Sequence, residues 1–258
     1  MTILRTEKMT MQFGGVCAVN ELEIKIEKGQ IVALIGPNGA GKTTAFNMIT
    51  GVYTPTSGDV IYTDENGNDH KITGKKPSSI CDLGIARTFQ NIRLFKDLSV
   101  YENVMIAKHI KLKSDFLSAT LRMPWYNKEQ DQAKKDVEKL LREVGLWDLK
   151  DEIASSLPYG QQRRLEIVRA MATGPKILLL DEPAAGMNPT ETEDLTNFIA
   201  RIRNEYDLTI FMIEHHMDLV MDISDRIYVL EFGITIAEGT PDEIQNNPAV
   251  IEAYLGGE

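Results

Sequence analysis

The chain has 258 residues, of which 43% are hydrophobic and 26% charged, which is globular composition and excludes wholesale disorder. Lys and Arg total 28 against 38 Asp and Glu, so the net charge of -10 argues against a broad nucleic-acid-binding surface. Cys17 and Cys81 stand far apart in no metal-ligand spacing, and no apolar run approaches the ~20 residues that span a bilayer, nor does the N-terminus carry an apolar signal core. Composition therefore predicts a soluble, cytoplasmic protein without a disulfide framework or zinc site.

In chain order, Leu22 to Glu27 alternates apolar and charged residues and predicts a half-exposed strand. Ile31–Ile35 is a continuous apolar run, as for a strand buried on both faces, and a helix is expected from Lys42 to Gly51. Ser99 with Glu102 forms a capping-box pattern that opens a helix. Asn127 with Gln130 predicts another helix start. Behind it Ala133, Val137, Leu140, Leu141 and Val144 share one helical face, and Gly145 ends it. No convincing strand occurs between about residues 90 and 160, so this stretch is expected to be a helical lobe. Strands then alternate with helices: Ile177–Leu180, helix Thr190–Arg203, strand Leu208–Ile213, helix Met217–Met221 and strand Arg226–Leu230. Thr240-Pro-Asp-Glu243 and Asn247-Pro248 open two last short helices. Buried strands alternating with helices imply an α/β fold with a largely parallel sheet.

The motif Gly36-Pro37-Asn38-Gly39-Ala40-Gly41-Lys42-Thr43 fits G-x-x-x-x-G-K-[ST] and lies between a buried strand and a helix. Glycines allow the backbone to wrap a phosphate with converging N–H groups, and the helix N-terminus adds positive potential. Lys42 brings a cation to the β- and γ-phosphates, and the Thr43 hydroxyl suits Mg²⁺. The apolar strand Ile177–Leu180 runs into Asp181 and Glu182, which places two carboxylates at the C-terminal edge of the sheet. Asp181 is expected to hold Mg²⁺ through water, and Glu182 to take a proton from the attacking water or orient it. The plain alternative for this pair is a polar strand end that caps the next turn.

Leu157-Pro158-Tyr159-Gly160-Gln161, twenty residues or more before this acidic pair, resembles the L-S-G-G-Q signature of ABC ATPases. Phe13 stands where that family has an adenine-stacking aromatic, Gln90 matches its Q-loop, Ala185-Gly-Met-Asn188 its D-loop and His215 its switch histidine. Taken singly, Phe13 also reads as a core aromatic, Gln90 as a surface loop residue, and His215 and its neighbour His216 as solvated side chains. The strings Phe13-Gly-Gly15, Gly84-Ile-Ala-Arg-Thr-Phe-Gln90, Asp181-Glu-Pro-Ala-Ala-Gly-Met-Asn-Pro189 and Ala253-Tyr-Leu-Gly256, with the insertion between His109 and Lys128, are similar to the LivG-type ATPases of branched-chain amino acid importers.

The resemblance implies a P-loop NTPase core with a mostly parallel sheet, an N-terminal antiparallel β portion and an inserted helical subdomain. The expected division is 1–89 and 160–235 for the core, 90–159 for the helical subdomain and 236–258 for a C-terminal extension. It implies that Phe13 stacks on adenine, that Gly36 to Thr44 (Thr44 included) hold the triphosphate of ATP, and that Thr43, Gln90 and Asp181 surround Mg²⁺. Glu182, His215, Lys42 and Gln90 are then the catalytic set, and Tyr159, Gly160 and Gln161 act in trans on a second ATPase subunit. That second subunit is either an identical chain or a LivF-like partner. Separate transmembrane permease subunits are expected to dock on the helical lobe, near Phe89, Ile92, Leu94, Phe95 and Tyr101, and hold the chain at the inner face of the membrane. No nucleic-acid partner is expected. Pro158 and Tyr159 depart from the Ser and Gly usual in the signature, and Asn188 from the usual D-loop aspartate. A competing function is a soluble ABC ATPase acting as an assembly or scaffold factor, as in iron–sulfur cluster biogenesis; a DNA-repair or translation ABC factor is disfavoured by the acidic charge, the single cassette and the lack of a long coiled-coil insertion. The last 32 residues carry six acids and no Lys or Arg, which reads as a solvated terminal face.

Overall fold

The computed structural model describes residues 1–110 and 124–255. The chain forms two compact units, Met1–Gln90 with Lys176–Glu258, and Asn91–Pro175. This division differs from the expected one at three places, the first being Gln90, which belongs to the first unit. Residues 160–175 belong to the helical unit, and the C-terminal helices belong to the first unit rather than to a separate extension.

The first unit contains two sheets. Strands β1 (Thr2–Phe13), β2 (Val16–Leu22), β3 (Lys25–Glu27), β5 (Ser57–Thr63) and β6 (Asp69–Lys71) form an antiparallel sheet, in which β1 is the shared neighbour of β2, β3 and β5. The second sheet has the order β11-β10-β4-β9-β8-β7, with β4 Ile31–Ile35, β7 Ile85–Arg87, β8 Ile177–Asp181, β9 Thr209–Ile213, β10 Arg226–Glu231 and β11 Ile234–Gly239. Its pairings are parallel except for β10 with β11. β4, β8 and β9 are buried along their whole length, which explains their unbroken apolar runs.

One core cluster joins both sheets. Leu4, Met9, Ile26 and Val60 from the antiparallel sheet pack with Val32, Leu179, Phe211 and Tyr228 from the parallel one. Helix α1 (Lys42–Ile49) inserts Ala45, Phe46 and Ile49 into the same core, with the Phe46 and Phe211 ring centroids 4.8 Å apart. The short helices α2 (Pro77–Asp82), α7 (Met217–Ile223), α8 (Pro241–Gln245) and α9 (Pro248–Leu255) and the longer α6 (Pro189–Glu205) complete this unit.

The alternation at Leu22–Glu27 does not give one strand. The Thr6 N–H still donates to the Ile24 carbonyl (2.9 Å), but its hydroxyl donates to the Leu22 carbonyl (2.8 Å) and accepts from the Ile24 N–H (2.9 Å), so a side chain enters the ladder where β2 and β3 separate.

The helical unit contains α3 (Val100–His109), α4 (Pro124–Glu143) and α5 (Tyr159–Met171). Ser99 caps α3 through the expected capping box with Glu102. α4 is already helical at Pro124, so Asn127 is not its start. Ala133, Val137, Leu140, Leu141 and Val144 are all buried, and Gly145 takes φ 75 just past the helix. The fully buried Asn103 holds the preceding loop, accepting from the Phe95 N–H (2.9 Å) and donating to the carbonyls of Phe95 (3.1 Å) and Ser99 (3.0 Å). Much of the insertion between His109 and Lys128 lies outside the described residues. Among the described residues no helix is long and apolar enough to cross a membrane.

Candidate functional site

The site of the first unit is built at the C-terminal ends of three adjacent parallel strands, β4, β9 and β8, where such sheets bind ligands. After β4 the chain turns through Gly36–Gly41 into α1. Gly41 is the N-cap of α1 with φ 100, and a Cβ there would overlap the Ala18 carbonyl oxygen, so the position requires glycine. The loop is braced from β10–β11, since Gly233 N–H donates to the Ala40 carbonyl (2.9 Å). The Lys42 ammonium lies within the loop and donates to the carbonyls of Gly36 (2.7 Å) and Pro37 (2.9 Å). Burial pushes its pKa below the usual lysine value, and the charge of Glu182 acts in the opposite direction. Thr43 is exposed and Thr44 half-buried, while Asn38 and Gly39 are exposed at the loop tip. Beside the loop, a cavity of about 710 Å³ is lined by Pro37, Asn38, Ala40, Phe232 and Ala253 among others.

The acidic edge is a network of side chains. β8 ends at Asp181, whose carboxylate forms a 2.5 Å ion pair with Arg87 at the end of β7. The Arg87 guanidinium also donates to Asn47 of α1 (2.8 Å) and to Thr50, which caps that helix (2.9 Å). Glu182 follows in the left-handed region (φ 48). Its Oε2 accepts from Gln90 Nε2 at 2.7 Å, and its Oε1 lies 3.0 Å from His215 Nε2. The two histidines face different carboxylates: His216 Nδ1 lies 3.2 Å from Glu214. The structure thus brings Gln90, Glu182 and His215 into one cluster, with the Lys42 ammonium near enough to feel the charge of Glu182. Of the residues expected around Mg²⁺, Thr43 is exposed, Asp181 is paired with Arg87 and Gln90 donates to Glu182; hydroxyl, amide-oxygen and carboxylate groups are donor types that suit a hard cation. No group of three or more His, Cys, Asp or Glu among the described residues could hold a metal ion.

Phe13 ends β1, exposed, with its ring edge-to-face against Tyr53 at 5.5 Å. It is not a core aromatic. Tyr159, Gly160 and Gln161 form the first turn of α5 in the helical unit, with Pro158 as an N-cap that makes no side-chain cap bond. Asn188, the D-loop departure, caps α6 by accepting from the Glu191 N–H (3.0 Å), a role asparagine fills as well as aspartate.

Sequence reasoning missed Arg87, Tyr53 and Glu214. Arg87 gives no local signal, because its carboxylate partner is 94 residues away. Glu214 did give one: like Asp181 and Glu182, it directly follows a continuous apolar strand.

Comparison with known proteins matches residues 19–185 to the ABC transporter family and residues 235–258 to the branched-chain amino acid ATP-binding cassette transporter family. The chain is 47% identical over 254 residues to the high-affinity branched-chain amino acid transport ATP-binding protein BraF of Pseudomonas aeruginosa, and equally to LivG of Escherichia coli K12; each match covers 98% of both chains. It is 38% identical to a probable LivG of Archaeoglobus fulgidus over 100% of this chain and 97% of that one. The fold matches the crystal structure of an ABC-transporter ATP-binding cassette in its ADP conformation, with 35% identity, a TM-score of 0.84 and complete coverage of both chains. Motifs, fold and relatives agree, and the chain belongs to the ATP-binding proteins of ABC transporters, within the LivG/BraF branch.

Proposed function

We propose that this chain binds and hydrolyses ATP to drive an importer of branched-chain amino acids whose membrane-crossing subunits are separate chains. The observation that carries the reading is the convergence of Gln90 and His215 on Glu182, beside Lys42 and the phosphate loop.

In this reading the chemistry is positioning and electrostatics. Backbone N–H groups of Gly39 to Thr44 hold the triphosphate, and Lys42 exchanges its two loop carbonyls for phosphate oxygens. Phe13 stacks on adenine. Glu182 accepts the proton of the attacking water or orients it, while His215 and Gln90 hold that carboxylate in place. Thr43, Gln90 and Asp181 would hold Mg²⁺, which supplies charge neutralisation to the phosphates when bound. Tyr159, Gly160 and Gln161 act on the nucleotide of a second ATPase subunit, identical or LivF-like, through Gly160 and the helix N-terminus because Pro158 has no hydroxyl.

Glu182→Gln tests the site: ATP still binds, and hydrolysis nearly vanishes. Persistent turnover removes Glu182 from its role. The membrane half of the proposal rests on the helical unit, where Ile92, Leu94 and Tyr101 are half-buried and Phe95 is 48% exposed under the Arg169 guanidinium. There Phe95→Glu is expected to uncouple transport while it spares ATP binding, and equal loss of both would sink the docking idea. Co-purification with permease chains from gently solubilised membranes separates this peripheral, inner-face location from that of an iron–sulfur assembly factor, which would not sediment with membranes.

A further inference from the structure

We infer that Glu214 is a positioning residue for hydrolysis, a buried carboxylate that locks the turn carrying Glu182 to the turn carrying His215. The inference rests on the ATPase reading above and adds a residue to it.

The β8–β9 ladder ends at Asp181 opposite Ile213, with one further bond from the Glu182 N–H to the Ile213 carbonyl at 2.9 Å. Beyond that point no strand pairing among the described residues holds the two turns together. Glu214 replaces it. Its side chain is only 1% exposed. Oε1 accepts from the Ala184 N–H at 2.7 Å, in the turn after Glu182. Oε2 accepts from the His215 N–H at 2.5 Å and the His216 N–H at 3.0 Å. One side chain thus satisfies three backbone donors from two turns.

The pattern requires a carboxylate. All three backbone partners are donors, and they approach both oxygens, so the side chain must accept on both sides. A glutamine of the same shape would turn an NH₂ group toward one of the turns and leave its N–H groups unsatisfied in a buried place. The turns held this way need holding. Glu182 sits in the left-handed region, a conformation that persists only where its surroundings over-determine it. The gap that depends on the lock is the 3.0 Å contact between His215 Nε2 and Glu182 Oε1. A misplacement of about 1 Å at such a contact costs ~100-fold in rate.

The test is Glu214→Gln in the full chain, in the assembly that hydrolyses ATP. The expected result is a fall of about 100-fold in kcat with KM and the Kd for ATP within about twofold, because the phosphate loop is built elsewhere. In a second step, Glu182→Gln/Glu214→Gln is expected to hydrolyse no more slowly than Glu182→Gln alone, since Glu214 acts through Glu182. A wild-type kcat in Glu214→Gln, a matching collapse of ATP affinity, or losses that multiply in the double variant would each overturn the inference. If Glu214→Gln does not fold, Glu214→Asp keeps the charge but is too short to reach both turns. It is expected to show the same fall in kcat alone, and wild-type kcat there would equally overturn the proposal. Turnover surviving in Glu182→Gln would instead refute the underlying assignment of the site.

Discussion

The phosphate loop and the acidic edge lie side by side on one sheet, yet they are held by opposite means. The loop is fixed by backbone: glycine at a left-handed N-cap, a hydrogen bond from Gly233 to Ala40, and a lysine that binds main-chain carbonyls. The edge is fixed by side chains gathered on carboxylates: Arg87 on Asp181, Gln90 and His215 on Glu182, and the Glu214 carboxylate on two turns. The difference teaches where each half is fragile. The loop should fail when a carbon atom is added, and the edge when a charge is removed.

The largest effect is expected at Arg87. Its side chain and that of Asp181 are 9% and 5% exposed, so Arg87→Met leaves a buried carboxylate without its partner. Breaking such a pair costs about 3–5 kcal/mol. Urea unfolding of the nucleotide-free chain reads this directly. A loss below about 1 kcal/mol, the range of exposed pairs, would show that the edge does not depend on the pair.

The loop gives the next contrast. Gly41→Ala adds left-handed strain and an overlap with the Ala18 carbonyl, together about 3 kcal/mol. Gly39→Ala shares the positive φ, here 80, but its Cβ would meet nothing within 4 Å, so only the strain of about 1 kcal/mol remains. Equal destabilisation of the two variants, measured by the same unfolding experiment, would mean that backbone strain alone governs the loop and that its packing against Ala18 is immaterial.

The same division explains what was legible in the sequence. A device made of backbone and glycine is local, so Gly36 to Thr43 announce it within eight positions, and the capping boxes at Ser99 and Thr240 are legible for the same reason. A device made of side chains from distant strands is not. Arg87 and Asp181 become neighbours only because β7 and β8 pair. The split of Leu22–Glu27 has the same cause, since the hydroxyl that interrupts it belongs to Thr6 on another strand. Asn127 as the start of α4 is a local miss, in which a polar pair resembling a cap lies inside a helix already formed at Pro124. Family pattern places Phe13, but its partner Tyr53 lies in the irregular stretch between α1 and β5, which carries no periodic signal.

The smallest effect concerns Lys42, where loop and edge meet. Burial lowers its pKa in the folded chain, with Glu182 opposing. A folded pKa below the unfolded value of about 10.4 means that the unfolded chain binds more protons in the window between the two. Stability contributed by this position therefore rises as pH increases through that window, and below the folded pKa the full cost of keeping a buried ammonium is present. Lys42→Met removes the titration. The difference in unfolding free energy, wild type minus Lys42→Met, is expected to increase as pH rises from neutrality toward 10.4, while the variant loses ATP binding at every pH. A difference that is flat or falls would mean that the two carbonyls of Gly36 and Pro37 already compensate the ammonium for its lost water. In that case the lysine would be held by the loop without cost, and the loop, like the edge, would owe part of its stability to a charge.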